Sequence, residues 1–101
     1  MTCEPKHLTF TATGGQVVIS RPGVIYGYLV GLDESNDATI TIYDDNSAAT
    51  GNEVIPTNTY DASVLGVNGA TLPGDGVKCK KGIYCYCVLA AGQAEVTVYY
   101  N

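Results

Sequence analysis

The sequence predicts an all-β fold, an antiparallel β-sandwich or jelly-roll-like barrel of seven to eight short strands. Three observations carry that prediction. β-Branched and aromatic residues recur in short alternating runs. Twelve glycines and four prolines, with Asn and Asp clustered between apolar runs, punctuate them. No stretch keeps the three-and-four apolar spacing of an amphipathic helix beyond a few residues. A chain of 101 residues holds one core, so residues 7–101 are expected to form a single domain behind an N-terminal arm of residues 1–6.

Residues 7–12 and 16–20 read as a hairpin around Gly14-Gly15, a pair that tolerates the positive φ of tight turns. Arg21-Pro22-Gly23 ends it, because proline cannot donate to a ladder. Residues 24–32 form the next strand, and the acidic loop 33–37 leads into residues 38–44. There Ala38, Ile40 and Ile42 share one face, and Thr39, Thr41 and Tyr43 the other, the mark of a half-buried strand. Residues 45–52 read as a loop and 53–55 as a short strand. Residues 56–76 are the least regular, with turn signals at Asn68-Gly69 and 73–76 and room for a strand near 60–67. Residues 77–79 and 82–90 suggest a hairpin over Lys80-Lys81, and a second around 91–93 feeds the strand 94–100.

Two strands show apolar residues on both faces. In 83–89, Ile83, Cys85, Cys87 and Leu89 oppose Tyr84, Tyr86 and Val88. In 24–32, strict alternation sets Val24, Tyr26, Tyr28, Val30 and Leu32 against Ile25, Gly27, Leu29 and Gly31. A two-sheet sandwich buries only one face of each sheet, so the other face needs a cover. Residues 56–76 fold over it, or the tyrosines lie half exposed with their hydroxyls in water, or a second protein packs there. Tyrosine suits such contacts, with a rigid apolar body and one polar handle. Tyr26, Tyr28, Tyr84, Tyr86 and Tyr99 are the interface candidates.

The four cysteines, Cys3, Cys79, Cys85 and Cys87, admit three readings. They can be reduced and buried as small apolar side chains. Alternatively, Cys79 or Cys3 can bridge Cys85 or Cys87; a Cys85–Cys87 bond within one strand is geometrically poor. The third reading, zinc held by all four, lacks the paired short-spaced knuckles of structural sites.

Catalytic signatures are missing. One histidine, His7, and one arginine, Arg21, are all the chain offers to such chemistry. No nucleophile elbow, P-loop, zinc-protease or dinucleotide motif occurs. Asp33-x-Ser35-x-Asp37 has the oxygen spacing that begins a calcium loop, but Ala38 stands where that loop needs glycine, and Asp44-Asp45-Asn46 is a second oxygen cluster. Solvated turn carboxylates are the simpler account of both, and no cofactor is expected. Ten acids against five bases give a net charge of −5, which disfavours nucleic acid as a partner. The single basic cluster is Lys78, Lys80 and Lys81. No apolar run is long enough for a membrane span, and the first residues lack the layout of a secretory signal.

Four segments carry a resemblance: Gly23-Val24-Ile25-Tyr26-Gly27-Tyr28; Ala38-Thr39-Ile40-Thr41-Ile42-Tyr43-Asp44; Gly76-Val77-Lys78-Cys79-Lys80-Lys81-Gly82-Ile83-Tyr84; and Ala94-Glu95-Val96-Thr97-Val98-Tyr99-Tyr100. Together they resemble small β-rich structural proteins of tailed bacteriophages, from which the Cys85-x-Cys87 pair departs. The resemblance implies a non-enzymatic virion component made in the host cytoplasm. The leading form is a capsid decoration (cement) protein, homo-oligomeric, with a trimer as the expected number, bound to the major capsid protein or another virion protein. A tail- or fibre-associated adhesin and a self-assembling subunit are the alternatives.

Overall fold

A strand with one apolar face must pair its backbone sideways and cover that face from above, and both demands shape this chain. The computed structural model describes residues 3–32, 37–60, 68–72, 74–89 and 91–101. Its strands are β1 (Glu4–Phe10), β2 (Gly14–Ile19), β3 (Gly23–Leu32), β4 (Ala38–Asp44), β5 (Asn52–Tyr60), β6 (Asn68–Thr71), β7 (Val77–Cys79), β8 (Ile83–Leu89) and β9 (Ala94–Tyr100). All pairings are antiparallel and nested: β1 with β9, β2 with β8, β3 with β6 and β7, and β4 with β5. The chain is thus one long hairpin doubled back at residues 45–51 and then rolled up. Rolling adds the pairs β3·β9 and β4·β8. Two sheets result, β1-β9-β3-β6 with β7 beside β6 on the same edge of β3, and β2-β8-β4-β5. Because β6 and β7 share one edge, the described residues fill eight strand positions, wired as a jelly roll.

This wiring overturns the three expected local hairpins. β1 and β2 lie in different sheets, as do β7 and β8, and β8 and β9. Gly14-Gly15, Lys80-Lys81 and 91–93 therefore mark sheet-to-sheet crossings or their flanks, not hairpin loops. The reason is that a corner and a hairpin loop need the same sharp chain reversal, so the same residues serve both. Among the described residues, only β4 and β5 pair as consecutive strands. The short strand expected at 53–55 is the longer β5, in which Pro56 is tolerated because β5 is an edge strand whose register against β4 slips. Asn68-Gly69, expected as a turn, opens β6. The strand expected near 60–67 lies outside the described residues beyond Tyr60. The N-terminal arm is shorter than expected, since Glu4, Pro5 and Lys6 already pair with Tyr100, Tyr99 and Val98.

The core is filled by the inward residues of alternating strands. On β4, Ala38, Ile40 and Ile42 are buried, as alternation predicts, and on β9 Ala94, Val96 and Val98 are. Strand β8 contributes Ile83, Cys85, Cys87 and Leu89. In β3 the alternation breaks: Ile25 pairs with Tyr100 but Gly27 with Tyr99, leaving Tyr26 as an extra bulged residue. The bulge shifts the phase, so Ile25, Tyr28 and Val30 all reach the core. Tyr28 and Tyr60 meet edge to face there, ring centroids 6.3 Å apart, and their hydroxyls share a 2.6 Å hydrogen bond. Burial first, and then that hydrogen bond, hold the Tyr60 hydroxyl well above its ordinary titration range. Two edges are blunted. β1 carries Pro5, and Lys6 in the parity of Leu8 and Phe10 yet exposed; β5 carries Pro56. Such residues disfavour strand addition, so contacts through these edges are not the natural mode of association.

Candidate binding surface

The outward face of the β2-β8-β4-β5 sheet is built from register. Antiparallel pairing puts Tyr84 of β8 between Val17 of β2 and Tyr43 of β4. In the next row Tyr86 lies between Gly15 and Thr41, and in the third Val88 faces Thr39. Directly opposed side chains sit about 4.5–5.5 Å apart at Cβ, so these residues form one continuous surface. Val17 is 37% and Val88 48% exposed, while Tyr43, Tyr84 and Tyr86 are half-buried. Tyr84 leans across Gly15, where a Cβ would collide with its ring and hydroxyl. Glycine at 15 is what lets the tyrosine lie flat over β2. Beyond β4 the surface continues as hydroxyl pairs: Thr41 Oγ1 and Thr57 Oγ1 are 2.7 Å apart, and Thr39 Oγ1 and Thr59 Oγ1 3.0 Å apart. Thr41 is buried beneath its neighbours although it points outward. The first charged side chain met across this face is Glu53, whose carboxylate accepts the Thr57 amide at 3.1 Å.

Of the interface candidates, the fold unites only Tyr84 and Tyr86. Tyr28 is corrected outright: the bulge at Tyr26 turns it into the core, where it is 7% exposed. Tyr26 sits at that bulge, and Tyr99 lies on the outward face of the other sheet, opposite Gly27. Val17 and Tyr43, which complete the aromatic row, were not among the candidates. Only the cross-strand register joins them to Tyr84.

All four cysteines are free thiols. Cys79, Cys85 and Cys87 are buried and Cys3 is exposed at the start of β1. Burial pushes the Cys79 thiol up to about 11, with the Asp44 charge adding to it. Burial likewise raises Cys85 to about 12 and Cys87 to about 11. These three are poor nucleophiles and poor metal ligands as they stand. Among the described residues no group of three or more His, Cys, Asp or Glu side chains converges as a metal site.

Asp44 and Asp45, read as an oxygen cluster, are turned to different tasks. Asp44 accepts the backbone amides of Lys80 at 2.9 Å and Lys81 at 2.8 Å, bracing the β7–β8 corner. Burial raises its pKa, but the amides of Lys80, Lys81 and Gly82 and the Lys81 charge outweigh burial and leave it below the ordinary value. Asp45 accepts the amides of Ser47 at 2.9 Å and Ala48 at 3.1 Å and the Thr50 hydroxyl at 2.8 Å, closing the β4–β5 loop. The Ser47 amide and the Thr50 hydroxyl lower its pKa most. The other oxygen cluster, 33–37, lies outside the described residues except for Asp37. His7 stands on the outward face of the β1-β9-β3 sheet, Nδ1 3.0 Å from Thr97 Oγ1 and Nε2 3.3 Å from Glu95 Oε1. No helix among the described residues is long and apolar enough to cross a membrane.

No family model, no curated protein sequence and no solved structure matches this chain.

Proposed function

We infer that this chain is a non-enzymatic structural protein of a virus particle, most specifically a decoration protein of a tailed-phage head. It seats on the shell through the outward face of its β2-β8-β4-β5 sheet. The observation that carries this reading is the row Val17–Tyr84–Tyr43 with Tyr86 and Val88 beside it, uncharged on a chain of net charge −5. A tyrosine-rich apolar centre with a hydroxyl rim has the composition of a protein contact. The jelly-roll wiring suits the same role, since virus shells use that architecture repeatedly. A hydrolytic role finds no support: His7 is engaged by Thr97 and Glu95 on an open sheet face. Quantitative mass spectrometry of purified particles tests the reading. The expected result is this chain in fixed, near-stoichiometric ratio to the major shell protein; a few copies per particle, or none, overturns it.

A further inference from the structure

A sheet edge presents a row of unpaired backbone groups, and most edges of this roll are guarded. Strand β1 carries Pro5 and the exposed Lys6, and its Thr9 carbonyl is already taken by the Gln16 side-chain amide at 2.7 Å. Strand β5 carries Glu53 and Pro56. Beyond β3 lie only β6, of four residues, and β7, of three with the exposed Lys78 among them. Among the described residues, β2 is the edge left without proline or charge: Gly14-Gly15-Gln16-Val17-Val18-Ile19.

The register shows which backbone groups of β2 are open. The Thr13 hydroxyl donates to the Leu89 carbonyl at 3.1 Å and accepts the Leu89 amide at 2.9 Å, so Leu89 aims its backbone at the β2 side of β8. Alternation aims Cys87 and Cys85 the same way, at their partners Gly14 and Gln16. Gly15 and Val17 therefore direct their N–H and C=O groups away from β8, and both residues are exposed. The bulge at Val18 ends this regular stretch. Above it, the Tyr84 ring occupies the place a Gly15 side chain would take. An antiparallel strand of the same sequence, centred on Gln16, sets its Val17 opposite this Gly15 and its Gly15 opposite this Val17. Each valine then meets the other copy's Tyr84 ring, at the roughly 4.5–5.5 Å Cβ spacing of opposed positions. Each Gly15–Val17 pair also exchanges both of its backbone hydrogen bonds.

We propose that two copies of this chain associate through this edge, β2 against β2 about a twofold axis at Gln16, which joins their β2-β8-β4-β5 sheets into one. A second copy is the occupant the edge fits. The contact is self-complementary, valine on ring-covered glycine in both directions. It also brings together two chains of net charge −5 along a strip where neither presents a charge. Tyr43, Tyr86 and Val88 lie farther from the edge and stay open, so dimerisation of the free chain stands or falls separately from shell attachment.

Sedimentation equilibrium of the purified chain tests it. A monomer–dimer equilibrium with a dissociation constant of micromolar order is expected for so short an edge. It should change by less than about threefold between about 20 and 300 mM salt, since no charge pair holds it. Val17→Lys should weaken it by about tenfold or more, whereas Val17→Thr, which keeps the shape and the backbone, should cost about threefold or less. Circular dichroism confirms that each exposed substitution leaves the fold intact. Register is read by cross-linking in a Cys3→Ser background. Gln16→Cys faces its counterpart with Cα atoms about 4.5 Å apart, within disulfide reach, and should cross-link on mild oxidation. Ser20→Cys, about 26 Å from its counterpart along the strands, should not. Hydrogen exchange needs no variant: the Gly15 and Val17 amides should gain protection as concentration rises through the dimer transition. A chain that stays monomeric at about 300 μM overturns the proposal. So does association that salt dissolves, that Val17→Lys leaves intact, that cross-links at Ser20→Cys as readily as at Gln16→Cys, or that leaves those two amides unprotected.

Discussion

On the outward face of the β2-β8-β4-β5 sheet, strand β8 sets Tyr84, Tyr86 and Val88 beside Val17 and Tyr43. On the outward face of the other sheet, β9 sets Glu95, Thr97 and Tyr99 between His7 of β1 and Leu29 of β3. The inward sides of β8 and β9 are alike, rows of apolar residues buried in the core. Folding constrains the inner rows of both sheets equally, so it does not explain why the outer rows diverge. One face shows water a histidine, a carboxylate and threonines, with the exposed Leu29 and the half-buried Tyr99 set apart among them. The other gathers two exposed valines and three half-buried tyrosine rings into one patch. That clustering is the observation on which the proposed attachment face rests.

The largest expected effect breaks that asymmetry directly. Tyr84→Glu with Tyr86→Glu should weaken attachment to particles lacking the protein by about 100-fold or more, as removal of interface anchors does. The matched change on the other face, Leu29→Glu with Thr97→Glu, should alter attachment by less than about threefold. Cosedimentation of each variant with particles measures both, and equal losses would erase the distinction between the faces. Next comes the tyrosine that the bulge removed from the surface. Tyr28→Phe removes the 2.6 Å hydrogen bond to the Tyr60 hydroxyl and leaves it only the Asn58 side chain, which should cost about 1 kcal/mol in urea unfolding. Adding Tyr60→Phe should then cost much less than Tyr60→Phe alone. A smaller effect is expected from Gly15→Ala. The colliding atoms belong to the far end of the Tyr84 side chain, so the fold should lose less than about 1 kcal/mol while Tyr84 swings away and attachment weakens.

The mildest effect concerns the corners that frame both faces. Asp44 and Asp45 have pKa values lowered in the folded chain. The stabilisation they supply is complete above the unfolded carboxylate value of about 3.9 and is lost as pH falls through the lower folded values. Thermal melts between neutral pH and about pH 2 should therefore show a fall in Tm below about pH 4, flatter in Asp44→Asn than in the native chain.

How much of this was legible in the sequence follows from the range of each signal. Alternation along a single strand is a local property, and the inward and outward rows of β4, β8 and β9 could be read from it directly. The bulge at Tyr26 inserts one residue without changing composition, so strict alternation placed Tyr28 outside. Neighbours across strands leave no trace in one sequence at all. For that reason Val17 and Tyr43 went unrecognised beside Tyr84, and three sheet crossings looked like hairpins. Gly14-Gly15 illustrates the limit well. It was read as a turn for its conformational freedom, whereas Gly15 matters because a side chain there would displace the Tyr84 ring. Asp44 is a similar case: it read as a solvated turn carboxylate, whereas it accepts backbone amides 36 and 37 residues away.

The nesting of the pairs has a consequence for how the chain comes to be folded. Glu4 finds its partner in Tyr100, and β9 must slot between β1 and β3 before that sheet is continuous. During synthesis β1 and β3 therefore wait, with β9's place between them empty, until residues 94–100 have emerged. Contacts so distant along the chain place a domain among slow, millisecond-to-second folders. Over that interval the open sheet is at its most exposed to wrong pairing with other nascent chains.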